Sequence, residues 1–338
     1  MTTSISDAGV MFADGSFVAS AKELAHFNDI VNGDFRIAQA GTSFPAPVAG
    51  TYDLDGWLNS NTSTAVFTVA QVAGSTTGRL ARRVTITTAK AVVAAGDSIA
   101  DQTRIEGYNI EKYVGQTFTV SFKKSFPVAG IHCVALRNSG FDRSYVAEIN
   151  VPVANVVQNC SFTVVGGLPT AGTWNYSNGI GLIIDFSHMA GTTWQTTPNA
   201  WNTGNFIATA NQVNDCATVG NAWAMEKVTL NLGTVAAVSE ISVEQELVRC
   251  LRYFELQVLS IAGVATANGL QSTHAFVVQK RAPPTLTAAG GSFGLSATTD
   301  AVDLQPASNI FSYRYILVAG SGLQAQVSAR TIAIAARL

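Results

Sequence analysis

The sequence predicts an all-β sandwich, and three observations carry that prediction. Short segments rich in β-branched residues alternate partly between apolar and polar positions. Turn residues separate these segments, and no helical pattern lies between them. Charged residues make up only 12% of the chain, which also holds 29 glycines, a composition common where strands pack into large assemblies. The predicted strands are 82–88, 116–122, 131–137, 143–151, 160–165, 179–186 and 223–232.

We expect three parts, because 338 residues exceed what one compact domain usually needs. In residues 1–30, GVMFADGS predicts a short strand with an Asp-Gly turn, and SAKELAHF predicts a short helix. This segment is too short to fold alone, so it needs a partner. Residues 31–255 hold the sandwich. Residues 256–338, with Pro-Pro and Gly-Gly turns between strands, predict a small C-terminal β domain.

One amphipathic helix is predicted in SVEQELVRCLRYFE. Ser242 and Gln245 have the spacing of a capping box, and Glu244 and Glu246 lie in the first turn. We expect an apolar stripe of this helix to close the sandwich. The stripe consists of Val243, Leu247, Leu251 and Phe254, with Val248 and Cys250 alongside.

Charge and composition exclude several partners. The net charge is -2, with no basic cluster beyond Arg79, Arg82 and Arg83, so we expect no nucleic-acid partner. The N-terminus lacks the basic start and apolar run of a secretory signal. Gly, Pro, Asn and Thr interrupt the longest uncharged stretch, so we expect no membrane insertion.

The cysteines indicate neither a metal site nor a disulfide framework. No C-x-x-C pair or Cys/His cluster is present, so the spacing gives no zinc motif. We expect buried, reduced thiols and no cofactor. The four are Cys133, Cys160, Cys216 and Cys250.

A long neutral segment is the most unusual feature of the sequence. Between Ile149 and Asn214 the only formally charged side chain is Asp185, while tryptophans and amides are frequent. Such a segment either packs at subunit contacts, where charge is depleted, or faces a neutral polar partner. We expect both, with apolar faces inward and amide-rich loops outward.

Several motifs resemble those of phage fibre and gene-transfer-agent head-spike proteins. They are IVNGDFRIAQAGTSF with YDLDGW (30–57), RIEGYNIEKYVGQTFTVSF, CVALRNSGFDRSYVAEI, GTWNYSNGIGL, AWNTGNFIATANQVN, CLRYFE and QKRAPPTLT. The resemblance covers residues 30–338. It implies a jelly-roll β-sandwich similar to carbohydrate-binding modules of families 4 and 9, with the closing helix and the small C-terminal β domain.

The same resemblance implies a function. It predicts a homotrimer on the surface of a virion or phage-like particle that binds host capsular or envelope polysaccharide without turnover. Residues 1–30 would attach it to a capsid or tail protein. The chain departs from long tail fibres because almost no shaft precedes the jelly roll. A short spike is therefore favoured, on either head or tail.

Candidate glycan contacts concentrate in the neutral segment. Sugar recognition places aromatic faces against pyranose rings and amides against hydroxyls, which Trp174, Tyr176, Trp194 and Trp201 could supply together with nearby amides. The alternative for each tryptophan is a place in the core or at a subunit interface, and Asn-Gly pairs also form turns. The amide candidates are Asn178, Gln195 and Asn202.

Two arginines form a second candidate group. Arg137 and Arg143 could clamp a charged sugar such as a uronic acid, because a guanidinium binds a carboxylate through two hydrogen bonds. The alternative is an ion pair across a hairpin, since Asp142 and Glu148 are nearby in the sequence.

The jelly-roll resemblance also implies a possible structural calcium near the first strand, where Asn32 and Asp34 lie. No acidic loop with regularly spaced oxygen ligands accompanies them.

Two other functions stay open. One is a structural capsid decoration or adaptor protein without glycan affinity. The other is a polysaccharide depolymerase, which needs two positioned carboxylates. The candidate carboxylates for that reaction are Asp53, Asp55, Asp142, Glu148 and Asp185, but no nucleophile motif accompanies them.

Overall fold

A computed structural model of the chain describes residues 4–6, 9–11, 17–18, 28–234, 241–304 and 306–338. Its first strands form one antiparallel sheet: β1 (Ser4–Ser6), β2 (Gly9–Met11) and β3 (Phe17–Val18). Strand β2 lies within the predicted GVMFADGS strand. The predicted turn at 14–15 and the predicted helix at 20–27 lie outside the described residues.

Residues 43–232 form a sandwich of two antiparallel sheets. Sheet A has the order β14-β11-β10-β13-β8-β5, and sheet B has the order β12-β9-β15-β7-β6-β4. The strands are β4 (Ser43–Pro45), β5 (Trp57–Asn61), β6 (Val66–Ala73), β7 (Leu80–Thr88), β8 (Ser98–Glu106), β9 (Phe118–Ser125), β10 (Gly130–Asn138), β11 (Arg143–Val151), β12 (Val157–Val164), β13 (Ile180–Ala190), β14 (Trp201–Thr203) and β15 (Ala222–Leu232). Short 3-10 turns cover Gly107–Asn109, Glu111–Tyr113 and Thr192–Trp194. All the predicted strand segments are strands.

The inner faces of the sheets enclose an apolar core, because alternate side chains of each strand point inward. Trp57 and Phe186 of sheet A have ring centroids 6.1 Å apart, and Phe186 meets Phe122 of sheet B edge-on at 5.1 Å. All three rings are buried. The predicted all-β jelly-roll sandwich is confirmed.

A buried ionic network also lies between the sheets. Arg82 binds Asp53 and Asp101, both at 2.7 Å, and none of the three side chains is exposed. His188 approaches Asp101 at 3.0 Å, and Lys124 Nζ lies 3.1 Å from His188 Nε2. Burial on this scale is tolerated because each charged group has a partner of opposite sign or a hydrogen bond.

Helix α1 (Val243–Leu251) has the predicted N-terminus. Ser242 Oγ accepts the backbone N–H of Gln245 at 3.2 Å, and the Gln245 side-chain oxygen accepts that of Ser242 at 3.1 Å. This reciprocal pair confirms the capping box.

The predicted apolar stripe of α1 is wrong in its first half. Val243, Leu247 and Val248 are exposed, whereas Glu246 is buried. Glu246 Oε1 accepts the backbone N–H of Asn32 at 2.5 Å, so a hydrogen-bonded carboxylate replaces apolar contact on the inner face. The second half is correct, since Leu251, Phe254 and Cys250 are buried.

The C-terminal part forms two further antiparallel sheets around a separate core. Sheet C has the order β16-β22-β18, with β19 also paired to β22, and sheet D has the order β17-β21-β20. Tyr313, Tyr315 and Ile334 are buried in this core. The strands are β16 (Phe254–Val264), β17 (Leu270–Ala275), β18 (Thr285–Ala289), β19 (Ser292–Leu295), β20 (Thr299–Asp303), β21 (Ser312–Val318) and β22 (Gln324–Ala335).

The thiols are free, as predicted. Cys133, Cys216 and Cys250 are buried, and Cys160 is half-buried. Desolvation raises the pKa of Cys133 to about 11, so this thiol is held in its unreactive protonated form.

Candidate functional site

The second half of the neutral segment covers sheet A. We call residues 190–214 the strap. Its Ile207 and Ala208 are buried against Cys133, Ala135 and Val146, which lie on the sheet face opposite the sandwich core. Backbone hydrogen bonds fix the strap at both ends, from the residue 193 N–H to the residue 95 carbonyl (3.0 Å) and from the residue 213 N–H to the residue 131 carbonyl (2.9 Å). The strap therefore packs on its own chain.

A line of polar side chains crosses sheet A beneath the strap. Arg137 Nε donates to Asp185 Oδ2 at 2.7 Å, and Gln102 Nε2 donates to Asp185 Oδ1 at 2.7 Å. Arg104 Nε continues the line to Gln102 at 2.8 Å, and Arg137 Nη1 reaches Asn205 of the strap at 2.6 Å. Asp185, the lone charge of the neutral segment, is thus a buried counter-ion.

Arg137, predicted to contact a charged sugar, lies inside the protein in this structure. Its side chain is 6% exposed and its guanidinium is committed to Asp185 and Asn205. The hairpin ion pair considered as the alternative is also not formed by Arg137, because its partner lies on β13. Arg143, by contrast, is half-buried at the hairpin end and donates to Thr203 Oγ1 at 3.0 Å.

Trp174 and Trp201 pack on each other and on the sandwich core. Their rings meet edge-on at 5.8 Å, and Trp201 also contacts Tyr145 at 5.6 Å. Both indole N–H groups donate to backbone carbonyls, Trp174 to Ala171 (3.0 Å) and Trp201 to Gly167 (2.9 Å). Both side chains are half-buried, so they hold the loops in place and keep only part of each ring accessible.

Three other predicted contacts serve the strap itself. Trp194 packs against the buried strap cluster and donates to the Gly96 carbonyl at 2.9 Å. Gln195 donates to the backbone at residue 190 at 2.9 Å. Asn202 Oδ1 accepts the Thr197 hydroxyl at 3.0 Å. These side chains therefore stabilise the strap, and their polar groups are engaged.

Tyr176 is exposed, unlike the three predicted tryptophans. It is 42% exposed, on the loop that precedes β13. Tyr108, for which the sequence favours a structural role, is 62% exposed on the adjoining 3-10 turn, and its N–H donates to the Ser177 carbonyl at 3.0 Å. We call residues 107–109 and 171–178 the aromatic rim. The signal for Tyr108 was its place between Gly and Asn in EGYN, a turn-like context for an aromatic residue.

Asn178, at the end of the rim, is engaged with the C-terminal part. Its carbonyl accepts Arg281 Nη1 at 2.7 Å, and its Nδ2 donates to the Arg281 carbonyl at 3.2 Å. The side chain predicted to contact glycan therefore joins two parts of the chain.

The hairpin between β10 and β11 is tied to the rim. Thr173 donates its hydroxyl to Asp142 Oδ2 at 2.8 Å and its N–H to Asp142 Oδ1 at 3.0 Å. Hydrogen bonds from Asn138 and then Thr173 lower the pKa of Asp142 to about 2, so its carboxylate stays ionised. Phe141, at the hairpin tip, is 45% exposed and has a φ of 55°.

Asn32, a predicted calcium ligand, is engaged in hydrogen bonds within the protein. Its Nδ2 donates to the carbonyls of Ile37 (2.8 Å) and Asp55 (2.9 Å), and its Oδ1 accepts the Ile37 N–H at 2.9 Å. The Asn32 amide therefore already donates to the carbonyl oxygens of Ile37 and Asp55, which would otherwise be possible ligands of a cation. Asp34 pairs with Arg36. Within the described ranges, no group of three or more His, Cys, Asp or Glu side chains is arranged to hold a metal ion.

No helix in the described part of the chain has the length and apolar character needed to cross a membrane.

Comparison with known proteins gives structural likeness alone. No model of a protein family matches the chain, and no curated protein matches it. Several similar solved structures are carbohydrate-binding modules. They include a CBM4 module (14% identity, 60% of this chain and 99% of that chain covered, TM-score 0.34) and the family 11 module of the cellulosomal cellulase Lic26A-Cel5E of Clostridium thermocellum (12%, 60% and 98%, 0.32). A third is the CBM22-1 xylan-binding domain of Xyn10C from Paenibacillus barcinonensis (8%, 57% and 94%, 0.27).

Proposed function

We propose that the protein binds glycan without chemical turnover, through the aromatic rim. The observation that carries this proposal is the exposure of Tyr108 and Tyr176 on two hydrogen-bonded loops, beside the half-buried Trp174. Aromatic rings on an ordered backbone can contact the apolar faces of sugar rings with little loss of conformational entropy on binding.

Close packing fixes the rim before any ligand arrives. A Cβ on Gly107 would lie 2.3 Å from the Asn175 carbonyl oxygen, so the two rim loops touch backbone to backbone. The Asp142–Thr173 hydrogen bonds anchor the other end of the rim. The binding surface is therefore preorganised.

The candidate carboxylates for hydrolysis are engaged, which supports binding over turnover. Asp53 is buried beside Arg82, and Asp185 is buried beside Arg137. Glu148 accepts Thr209 Oγ1 at 2.5 Å and Asn211 Nδ2 at 2.9 Å. A glycosidase needs a pair of carboxylates that flank a substrate bond, and these side chains are held by other partners.

We further propose that the protein is a homotrimeric fibre or spike on a virion or phage-like particle. The motif resemblance over residues 30–338 supports this role, and so does the low proportion of charged residues. The separate segment 1–30 is the proposed attachment to a capsid or tail protein, and host capsular or envelope polysaccharide is the proposed ligand.

A decoration protein without glycan affinity is the second candidate. It is favoured by the indole N–H groups of Trp174, Trp194 and Trp201, all of which donate to backbone carbonyls. A tryptophan used in this way stabilises loops whether or not a sugar binds.

A fluorescence titration with polysaccharide extracted from the candidate host tests the proposal. We expect saturable binding to wild type, a large loss with Tyr176→Ala, and full binding with Phe311→Ala. Phe311 is a suitable control because it is 60% exposed in the C-terminal part. No binding by folded wild type would favour decoration, and release of reducing ends would identify an enzyme.

A further inference from the structure

Phe141 is held in a backbone conformation that disfavours its side chain. Its φ of 55° lies in the left-handed region, which is uncommon for residues other than Gly, Asn and Asp. A bulky aromatic residue persists there only where its surroundings fix it, and such outliers cluster at functional sites. The neighbouring Gly140 has no side chain, and a Cβ added there would lie 2.3 Å from Thr173 Cβ.

The ring of Phe141 rests on a fixed cation. The guanidinium carbon of Arg137 lies 5.2 Å from the ring centroid. That guanidinium is itself held by Asp185 at 2.7 Å and by Asn205 at 2.6 Å. Since a cation–π contact uses one face of a ring, the Arg137 contact orients Phe141 while 45% of its surface stays exposed.

The charged groups beside the ring are hydrogen-bonded to the hairpin, the aromatic rim and the strap. Asp142 accepts hydrogen bonds from Thr173, and Arg143 donates to the Asp142 carbonyl at 2.8 Å and to Thr203 at 3.0 Å. The ionised Asp142 and the Arg143 guanidinium attract each other, so the surface next to Phe141 is aromatic and polar and carries no net charge that would select an anionic sugar.

We infer that Phe141 is a binding residue that stacks on the apolar face of a neutral pyranose unit, and that Arg137 is its positioning residue. This inference rests on the proposed glycan-binding function and extends that site from the aromatic rim to the hairpin tip. It also narrows the ligand to neutral glycans.

The test compares stability and affinity in the same variants. Asn tolerates a positive φ, so Phe141→Asn relieves the backbone. We expect a Tm equal to or above that of wild type, by up to about 4 °C, and an affinity lowered about tenfold or more. Phe141→Tyr keeps the ring and should bind within about threefold of wild type. A purely structural Phe141 gives the opposite pattern, with a lower Tm and unchanged affinity for Phe141→Asn.

Calorimetric titrations with soluble β-glucan, xylan and galactan, and with polygalacturonate as the anionic counterpart, provide the affinities. Binding by wild type but equal binding by Phe141→Asn would overturn this inference and leave the aromatic-rim proposal intact. Binding to polygalacturonate alone would overturn the neutral ligand class. No binding by folded wild type to any of the four or to the host polysaccharide would overturn both this inference and the function on which it rests.

Discussion

Asp185 accepts the Nε hydrogen of Arg137 at 2.7 Å, and both side chains lie beneath the strap. The pair explains why the neutral segment contains a single formal charge. The strap, its second half, packs on sheet A of its own chain, where each additional buried charge would need a partner.

Removing one member of this pair should be severe. Asp185→Asn leaves the Arg137 guanidinium buried without a counter-charge, so we expect a loss of about 3–5 kcal/mol in unfolding free energy. Urea denaturation measures it. Arg314→Met is the control, because the Arg314–Asp303 pair is about one-third exposed and solvent screens such surface pairs, so its loss should change stability little. Equal losses in both variants would contradict the buried counter-ion role.

The buried Lys124 predicts a pH-dependent contribution to stability. Desolvation lowers its pKa to about 8, from an ordinary value near 10.5. Between these values the unfolded chain holds a proton that the native protein has released. The Lys124 contribution to the unfolding free energy therefore rises by about 3 kcal/mol from pH 8 to 10.5.

That contribution must be measured as a difference. Burial raises the pKa of Cys133 to about 11, so its thiol ionises first in the unfolded chain and lowers stability at alkaline pH. Unfolding of wild type and Lys124→Met should be compared across this range. The unfolding free energy of wild type minus that of Lys124→Met should increase with pH. Lys123→Met, at the neighbouring and more exposed position, is the control. A constant difference for Lys124→Met would refute the prediction.

Gly191 should tolerate no side chain where the strap begins. A Cβ there would lie 2.0 Å from the Ala94 carbonyl oxygen and 2.5 Å from that of Ala95. We expect Gly191→Ala to lower the unfolding free energy by about 2–3 kcal/mol. A Cβ added at Gly96, in the loop that holds Ala94 and Ala95, has no atom within 4 Å, so Gly96→Ala should change stability very little. Equal stability of the two variants in urea would show that the contact is relieved at little cost.

Replacing a packed aromatic residue should cost more unfolding free energy than replacing an exposed one. Trp201 contacts Trp174 and Tyr145 and donates to a backbone carbonyl, so Trp201→Ala should cost about 3 kcal/mol. Tyr176→Ala should change stability by less than about 0.5 kcal/mol. Thermal and urea unfolding of both variants provide the comparison. If Trp201→Ala is as stable as wild type, packing is not the main role of the Trp201 ring.

Local patterns in the sequence predicted the strands and the cap of α1. Strand alternation and the Ser242–Gln245 pair depend on residues a few positions apart, so they can be recognised without the fold. The inward face of α1 could not be predicted, because Glu246 is buried by a hydrogen bond to Asn32, which lies 214 residues away.

The site was harder to predict for the same reason. The partner of Arg137 is 48 residues distant, on a strand that pairs with β10 only in the folded sheet. Composition identified tryptophans and amides, but exposure depends on what the strap covers. The accessible Tyr108 and Phe141 come from turns outside the tryptophan-rich segment, and the sequence alone does not show that the fold leaves their rings exposed.

The strap has a consequence for how this molecule could diversify. With the core on one face of sheet A and Ile207 and Ala208 packed against the other, substitutions in the middle of its strands meet packing on either side. Hairpin tips and turns carry no such constraint. Substitution of a few loop residues can therefore change the surface offered to a ligand, while the packed sheet that carries these loops keeps its structure.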